Sequence, residues 1–452
     1  MLLAGQFMAN IDTAIVNVAS PTVQDDLGAS GGQVALVVSG YVVAYAVLLV
    51  NGARLGATLG HRRIFLQGTI LFSAASLACG VAPGPVPLII ARLLQGAGAA
   101  LMVPQVLSGI QLHFARAEQS RALGYYAIAL SGGAVAGQIL GGLLVAADVL
   151  GMGWRPIFLI NVPAGLALIF AAWRWMPADR PGAASPTDVR GVALLTSSVG
   201  LLIVPLVLGP ENHWPVWTWL CLLASVPLGV YFAHAQRELA ARGGRPLIAP
   251  AAVRPPSVRW ALVAHGLTTM TYFALLFVLA LYLQHGLGRT PGYVGLAMVS
   301  WVAAFGVAGA LLSRLPARYT RHAAATGCFL LTACYAAVSV YLLVGHRTGP
   351  GLLTLLGVGG LGLGISSNAL IDCMTSVTDA RYATDLSGVI STNAQLSGAL
   401  GVAALGAGYL ALSRSAGSSA PAHALTATLT VCAGLALCGT IAAYWAVRRG
   451  TG

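Results

Sequence analysis

The sequence predicts an all-α polytopic membrane protein with fourteen transmembrane segments. Of its 452 residues, 57% are hydrophobic and only 8% are charged, whereas soluble proteins carry about 25% charged residues. Apolar runs of roughly the length that a membrane-spanning helix needs follow one another along the whole chain. The runs are predicted as helices because lipid offers no hydrogen-bond partner to an exposed backbone.

The segments are arranged as six, then two, then six. They cover 1–21, 33–55, 64–82, 86–112, 121–146, 157–175, 190–209, 217–234, 259–284, 292–313, 323–344, 350–375, 387–412 and 423–446. Two proline- and glycine-rich connections follow the sixth and eighth segments. The predicted architecture is two six-helix bundles, 1–175 and 259–452, joined by a linker, 176–258, with two further helices. Many secondary transporters have two such halves, with the substrate site where the halves meet.

Arginine placement predicts the orientation. The net charge is +12, and all basic residues are arginine. Half of the 24 lie in every second loop: Arg62, Arg63, Arg116, Arg121, Arg180, Arg237, Arg242, Arg245, Arg254, Arg318, Arg321 and Arg381. By the positive-inside rule these loops and both termini are cytoplasmic, in the plasma or inner membrane of a cell. The basic residues are divided among loops, which argues against a nucleic-acid surface.

Other function classes lack their signatures. The seven cysteines form no C-x-x-C pair and read as small buried hydrophobes, so no metal site is predicted. H-E-x-x-H does not occur, which argues against an intramembrane enzyme of that type. No ATP-binding motif occurs, so transport driven by this chain alone would use an ion gradient.

Asp12 is the first residue that the membrane setting makes conspicuous. It lies roughly 15 Å into the first segment, near the bilayer midplane. A charged side chain there costs about 2.5–3.5 kcal/mol on insertion scales. Two interpretations remain open: a proton-carrying carboxylate that faces a water-filled cavity, or a structural acid that is hydrogen-bonded inside the bundle.

Arg92 in the fourth segment is the natural partner of Asp12. A guanidinium in lipid must pair or reach water, and Asp12 is the strongest acidic candidate in the first half. Arg92 also lies near the start of its segment, so snorkelling to the interface is the alternative. Gln95 follows one turn later and is suited to hydrogen bonding between helices.

The fifth segment carries a glycine stripe. Gly133, Gly137 and Gly141 are spaced at i, i+4 and i+8, and Gly142 is adjacent. This spacing produces a flat face on one side of a helix. Close packing and a surface on which two halves slide explain the stripe equally well.

Five motifs together resemble the major facilitator superfamily, and within it the fourteen-helix drug:proton antiporters. The motifs are Asn10–Pro21 (NIDTAIVNVASP), Arg92–Pro104 (RLLQGAGAALMVP), Gly133–Gly142 (GAVAGQILGG), Trp154–Gly165 (WRPIFLINVPAG) and Ser387–Gly406 (SGVISTNAQLSGALGVAALG). The resemblance spans nearly the whole chain. It implies that Asp12 is the membrane acid of the first helix and that Arg92 is the motif arginine of the fourth.

The chain also departs from the family pattern. After the second helix, Arg54, Gly60 and Arg62 match the gating motif, but Ala57 stands where the family has an aspartate. Gln138 replaces the usual proline of the fifth helix. The family's first helix is longer and follows a cytoplasmic tail, which raises the expectation of a natural start upstream of Met1.

The resemblance implies a proton-coupled secondary transporter that exports lipophilic drugs, antibiotics or natural products by alternating access. No cofactor is expected for such a transporter, and the proton gradient would supply the energy. Protonation and substrate binding at Asp12 would exclude each other, and Arg92 would favour proton release inside. Export of an endogenous metabolite and a non-transporting scaffold or sensor are the alternatives.

Polar residues within the apolar segments are candidates for the substrate cavity. They are Asn17, Tyr41, Tyr45, Gln105, Gln138 and Asn393. The two tyrosines lie one turn apart, and interfacial or lipid-facing aromatics are the alternative for them. Acids are few in the second half, which predicts a small lipophilic substrate that is neutral or monocationic. A monomer in the bilayer is expected.

Overall fold

The computed structural model describes residues 2–113, 116–177, 188–209, 212–244, 246–247, 250–312, 317–344, 348–378, 382–413 and 420–450. Within these ranges the regular secondary structure is helical throughout. The chain divides into two compact units, Met1–Leu247 and Ile248–Gly452.

The first unit contains nine α-helices in its described residues. They are α1 (Leu2–Leu27), α2 (Gly31–Leu59), α3 (His61–Gly80), α4 (Pro85–His113), α5 (Arg116–Ala147), α6 (Pro156–Leu159), α7 (Asn161–Trp175), α8 (Val189–Leu208) and α9 (Val216–Ala241). Helix α1 packs mainly on α5, whereas α4 packs between α2 and α3. Helices α8 and α9 pack on each other, and α8 also contacts α2. The predicted domain boundaries at 175 and 258 stay predictions.

The second unit contains the remaining seven α-helices of the described residues. They are α10 (Pro256–Leu281), α11 (Pro291–Leu312), α12 (Ala317–Leu343), α13 (Pro350–Ser376), α14 (Ala383–Gly401), α15 (Ala407–Ser413) and α16 (Ala420–Gly450). Two π-helical turns, Tyr282–Gly286 and Val402–Gly406, extend α10 and connect α14 to α15. Helix α10 packs on α16 and α14, while α12 packs on α13 and α16.

Every predicted segment is helical in the described residues, and the sixth and thirteenth are each interrupted. Thirteen helices in the described residues are long and apolar enough to cross a membrane, and α5 adds a shorter apolar stretch, Gly132–Ala147. The sixth predicted segment is divided into α6 and α7 at Ile160. Pro163 contributes to this break because it has no N–H to donate to the carbonyl of Leu159. The break places Asn161 at the start of α7.

The glycine stripe of α5 packs directly on α1. A Cβ at Gly133 would lie 2.8 Å from the carbonyl oxygen of Phe7, and one at Gly137 would lie 2.7 Å from that of Ile11. A Cβ at Gly141 would lie 2.9 Å from the carbonyl oxygen of Ile15. The stripe therefore brings the two backbones into contact, which is the close-packing interpretation.

Gly137→Ala is expected to lower stability, whereas Gly132→Ala is not. The added methyl group at Gly137 would also lie 2.7 Å from Ala14 Cβ, and such overpacking costs about 1–3 kcal/mol. A methyl group at Gly132 would lie 3.7 Å from the Phe7 ring, an ordinary contact. Thermal unfolding of the purified protein in detergent measures the difference. Equal melting temperatures for the two variants would contradict the packing described here.

Candidate functional site

Asp12 and Arg92 form an ion pair in the interior of the first unit. Arg92 Nη1 donates to Asp12 Oδ2 at 2.6 Å. The side chains are 0% and 1% exposed. Asp12 is supplied by α1 and Arg92 by α4. The residue that the sequence suggests as the partner of Asp12 is therefore its partner in the structure.

Two amides bind the second oxygen of the carboxylate. Gln95 Nε2 donates to Asp12 Oδ1 at 2.7 Å, and Asn161 Nδ2 donates to the same atom at 2.9 Å. Both amides also contact Ser76 Oγ, at 2.5 Å from Gln95 and 3.3 Å from Asn161. Gln95, Ser76 and Asn161 are buried. The cluster therefore joins four helices, α1, α3, α4 and α7.

Arg92 has further partners that compensate its charge. Its Nε donates to the carbonyl oxygen of Val37 at 3.0 Å, and its Nη1 donates to Gln95 Oε1 at 2.7 Å. The guanidinium lies 4.3 Å from the centroid of the Tyr41 ring and 5.6 Å from that of Phe158. Hydrogen bonds and aromatic faces thus replace the water that a guanidinium would otherwise require.

Small residues on α4 allow its neighbours to approach the pair. A side chain at Gly96 would collide with the carbonyl oxygen of Tyr41, and one at Gly98 would lie 2.6 Å from the backbone nitrogen of Phe72. These contacts bring α2 and α3 against α4, which lets Arg92 reach the backbone of α2 and Gln95 reach Ser76. The glycines of the fourth-helix motif therefore shape the site.

Of the two environments considered for Asp12, the structure shows the hydrogen-bonded interior of the bundle. The carboxylate is enclosed by protein, and Arg92, Gln95 and Asn161 occupy its oxygens. All three partners donate, so the arrangement suits the ionised carboxylate, which only accepts hydrogen bonds. In this conformation the site holds an ion pair that is shielded from solvent, and proton exchange requires the cluster to open.

Two predicted cavity residues, Tyr41 and Gln105, contact neighbouring helices of the first unit. Tyr41 belongs to the ion-pair cluster, and its ring centroid lies 6.2 Å from that of Tyr45. Gln105 is buried; its Nε2 donates to the carbonyl oxygen of Gly52 at 2.7 Å, and its Oε1 lies 2.7 Å from His61 Nδ1. A substrate would have to compete with these helix-to-helix bonds at Gln105.

The other predicted cavity residues show no hydrogen bond to Asp12 or Arg92 in the described structure. Asn17 donates its amide to the carbonyl oxygen of Thr13, and its Oδ1 has no partner among the described residues. Gln138 is buried, and in the described structure neither of its amide atoms is hydrogen-bonded. Asn393, in the second unit, donates to the carbonyl oxygen of Leu262 at 3.1 Å. Their roles in substrate binding stay predictions.

The gating-motif residues surround the α2–α3 connection. Gly60 has a φ of 104°, which permits the sharp change of direction between the helices. Arg62 donates to the carbonyl oxygen of Trp173 at 2.5 Å. The side chains of Arg54 and Ala57 lie outside the described part of the structure. The remaining predicted motif residue, Gly142, lies away from this connection in the sequence and is buried on α5.

Sequence reasoning missed Ser76 and Asn161. Both are short polar residues within apolar segments, and Asn161 stands inside the motif Trp154–Gly165. That polarity is a usable signal. A sequence alone does not assign the two side chains to the Asp12 site, because it does not say which helices are neighbours.

Comparison with known proteins identifies the family. A family model described as Major Facilitator Superfamily matches residues 2–402. The chain is 37% identical over 418 residues to the probable actinorhodin transporter of Streptomyces coelicolor, which covers 91% of this chain and 72% of that protein. It is 34% identical over 430 residues to the cephamycin export protein CmcT of Amycolatopsis lactamdurans, which covers 92% and 85%.

A solved structure shares the fold. A bacterial homologue of the human lysosomal transporter Spinster, in an inward-facing and unoccupied conformation, matches with a TM-score of 0.71 and 16% identity. The match covers 100% of this chain and 95% of that one. Because the family model spans most of its length, the chain belongs to the major facilitator superfamily and is a multi-pass membrane transporter.

Proposed function

We propose that this protein is a proton-coupled exporter of an antibiotic or a related lipophilic natural product. The observation that carries the proposal is the buried Asp12–Arg92 pair, an ionisable group placed within membrane-spanning helices. Ionisable residues in that position are expensive and mark ion or substrate pathways. The names of the actinorhodin and cephamycin relatives support an antibiotic as the cargo.

Proton coupling follows from competition for Asp12. In the outward-facing state, a proton would enter the cluster from outside, neutralise the Asp12 carboxylate and weaken its bond to Arg92. In the inward-facing state, re-formation of the ion pair would favour release of the proton to the cytoplasm. One charge that crosses 100 mV supplies about 2.3 kcal/mol, so each proton can drive appreciable accumulation of substrate outside. Substrate and proton would stabilise opposite states of alternating access.

Several finer features belong to the same proposal. The transporter would be a member of the fourteen-helix drug:proton antiporter branch, a monomer in the plasma or inner membrane with both termini cytoplasmic. The excess of arginine in alternate loops supports that orientation. The scarcity of acids in the second half favours a neutral or monocationic substrate. Motif residues Arg54, Gly60 and Arg62 would contribute to gating.

Transport into inverted membrane vesicles tests the function. The gene is expressed in a host that lacks its own efflux pumps, and susceptibility to a panel of lipophilic antibiotics selects candidate substrates. Vesicles are then energised, and uptake of a selected compound is followed before and after the proton gradient is dissipated. The proposal expects uptake that collapses with the gradient. Uptake that persists without the gradient would contradict proton coupling.

The same panel separates the alternative cargo. If no antibiotic is exported but an organic extract of the producing cells contains a compound that drives proton flux, the protein exports an endogenous metabolite. If neither class of compound drives flux in vesicles that contain folded protein, the transport proposal itself fails.

A further inference from the structure

Among the described residues, the Asp12 carboxylate only accepts hydrogen bonds and donates none. Oδ1 accepts from the amides of Gln95 and Asn161, and Oδ2 accepts from Arg92. A protonated carboxyl carries an O–H that must itself find an acceptor. Since a buried donor without an acceptor is unfavourable, protonation must be accompanied by the rearrangement of a neighbouring group.

Gln95 is poorly placed to make that rearrangement. Its Oε1 accepts from Arg92 Nη1 at 2.7 Å, while its Nε2 donates to Asp12. Turning the amide over would direct its NH₂ group at the guanidinium, and both groups are donors. The positive charge of Arg92 therefore holds Gln95 in the orientation seen in the structure.

Asn161 is not constrained in this way. Its Nδ2 donates to Asp12 Oδ1 at 2.9 Å and to Ser76 Oγ at 3.3 Å, and the described structure shows no hydrogen bond between Asn161 and Arg92. The terminal torsion of an asparagine side chain is soft and roughly two-fold, so the amide can exchange its oxygen and nitrogen positions. The Ser76 hydroxyl can donate or accept and can follow the change.

Apart from Arg92, the titratable groups near Asp12 are not hydrogen-bonded to it in the described structure. Arg92 faces it from α4, Tyr41 from α2 and Cys79 from α3. The Tyr41 hydroxyl lies 3.5 Å from the carbonyl oxygen of Ala9, and Cys79 Sγ lies 3.7 Å from Gln95 Oε1. No titratable side chain stands at positions 129 and 132–147 of α5, where the structure describes side chains, in α6, or in the first two turns of α7.

We propose that Asn161 is a positioning residue that responds to the protonation state of Asp12. With the carboxylate ionised, Asn161 donates through Nδ2. When a proton from the aqueous side binds Oδ1, that N–H···O bond breaks, the amide turns over, and Asp12 donates its new O–H to Asn161 Oδ1. Arg92 keeps its proton throughout. Asn161 begins α7, so the exchange would transmit protonation at α1 to another helix.

This inference rests on the proposed function and is tested with the full-length protein in proteoliposomes. The variants are Asn161→Ala, which removes donor and acceptor, and Asn161→Gln, which retains both. Ser73→Ala is the control, because Ser73 lies on α3 near α7 and its hydroxyl has no hydrogen-bond partner in the described structure. The pH at which substrate-driven proton flux is half-maximal is compared among the variants.

The expected result is that Asn161→Ala shifts the midpoint most. Its midpoint should move to higher pH by about one unit, because the hydrogen bond lost from the charged state is stronger than the one lost from the neutral state. Asn161→Gln should fall closer to wild type, and Ser73→Ala should match wild type. An Asn161→Ala midpoint equal to that of wild type would overturn the inference.

Infrared difference spectroscopy keeps the inference testable if Asn161→Ala does not fold. Wild-type protein with ¹³C-labelled asparagine is acidified, and the carboxylic-acid C=O band of Asp12 is assigned by its absence in Asp12→Asn. The inference expects a simultaneous change in an asparagine amide band that Asn161→Gln abolishes. An Asp12 band without this amide change overturns the role of Asn161 only. Absence of the Asp12 band at every pH overturns the proposed function and this inference with it.

Discussion

Asp12→Asn is expected to abolish proton-coupled export while the protein still folds and inserts. Asparagine has nearly the same shape as aspartate but has no acidic proton to exchange. It also presents an NH₂ group where the carboxylate accepts hydrogen bonds. Export of a selected antibiotic should fall to the level of cells without the transporter. Drug accumulation in cells that express the variant measures export. The quantity of purified protein that elutes normally from a size-exclusion column measures folding.

Asp26→Asn is the matched control for this prediction. Asp26 is on the same helix but lies at its C-terminal end, where Oδ2 accepts from Arg155 Nη1 at 2.8 Å and from Trp154 Nε1 at 2.9 Å. Its side chain is 46% exposed, in contrast to that of Asp12. Asp26→Asn should therefore retain export. Wild-type export by Asp12→Asn would show that Asp12 is only structural.

Arg92→Gln is expected to produce the largest loss of stability. It leaves the Asp12 carboxylate buried without its cation, and breaking one side of a buried ion pair costs about 3–5 kcal/mol. The double variant Asp12→Asn/Arg92→Gln should recover part of that loss, because no uncompensated charge remains. Thermal unfolding in detergent would report both effects, and the double variant should remain inactive in export.

Arg155→Gln supplies the comparison for Arg92→Gln. The Arg155–Asp26 pair is partly exposed, at 29% and 46%, and such pairs contribute about 0–1 kcal/mol. A melting temperature for Arg92→Gln as high as that for Arg155→Gln would contradict the account of the buried pair. A double variant less stable than Arg92→Gln alone would show that the loss does not arise from the unpaired carboxylate.

Hydropathy predicted the helices because the membrane imposes both their length and their apolar composition. It could not predict their interruptions. The thirteenth segment reads as one helix, yet a π-helical turn at Val402–Gly406 divides it. Gly401 precedes that turn and Gly406 ends it, and side chains there would meet the carbonyl oxygen of Met270 and the ring of Phe277. Such breaks depend on the neighbouring helix, whose identity a hydropathy pattern does not contain.

The candidate site was predictable only where burial of charge is costly. Asp12 and Arg92 are the deep charges of the first half, so the need for charge compensation alone suggests that they pair. Ser76 and Asn161 are neutral, and neutral polar residues occur in many helices of this chain. Their participation depends on α3 and α7 lying beside α1 and α4. The same dependence explains why Asp12 is enclosed by amides in the structure and not by water.

Proton release from the purified transporter tests the central claim most directly. Detergent-solubilised protein is placed in weakly buffered solution with a pH indicator, at a pH below the midpoint of its proton flux so that Asp12 starts protonated, and an exported antibiotic is added. The account predicts that the wild-type protein releases protons on binding and that Asp12→Asn releases none, while Asp26→Asn behaves as wild type. Equal release by wild type and Asp12→Asn would show that the proton is carried elsewhere and would contradict the account.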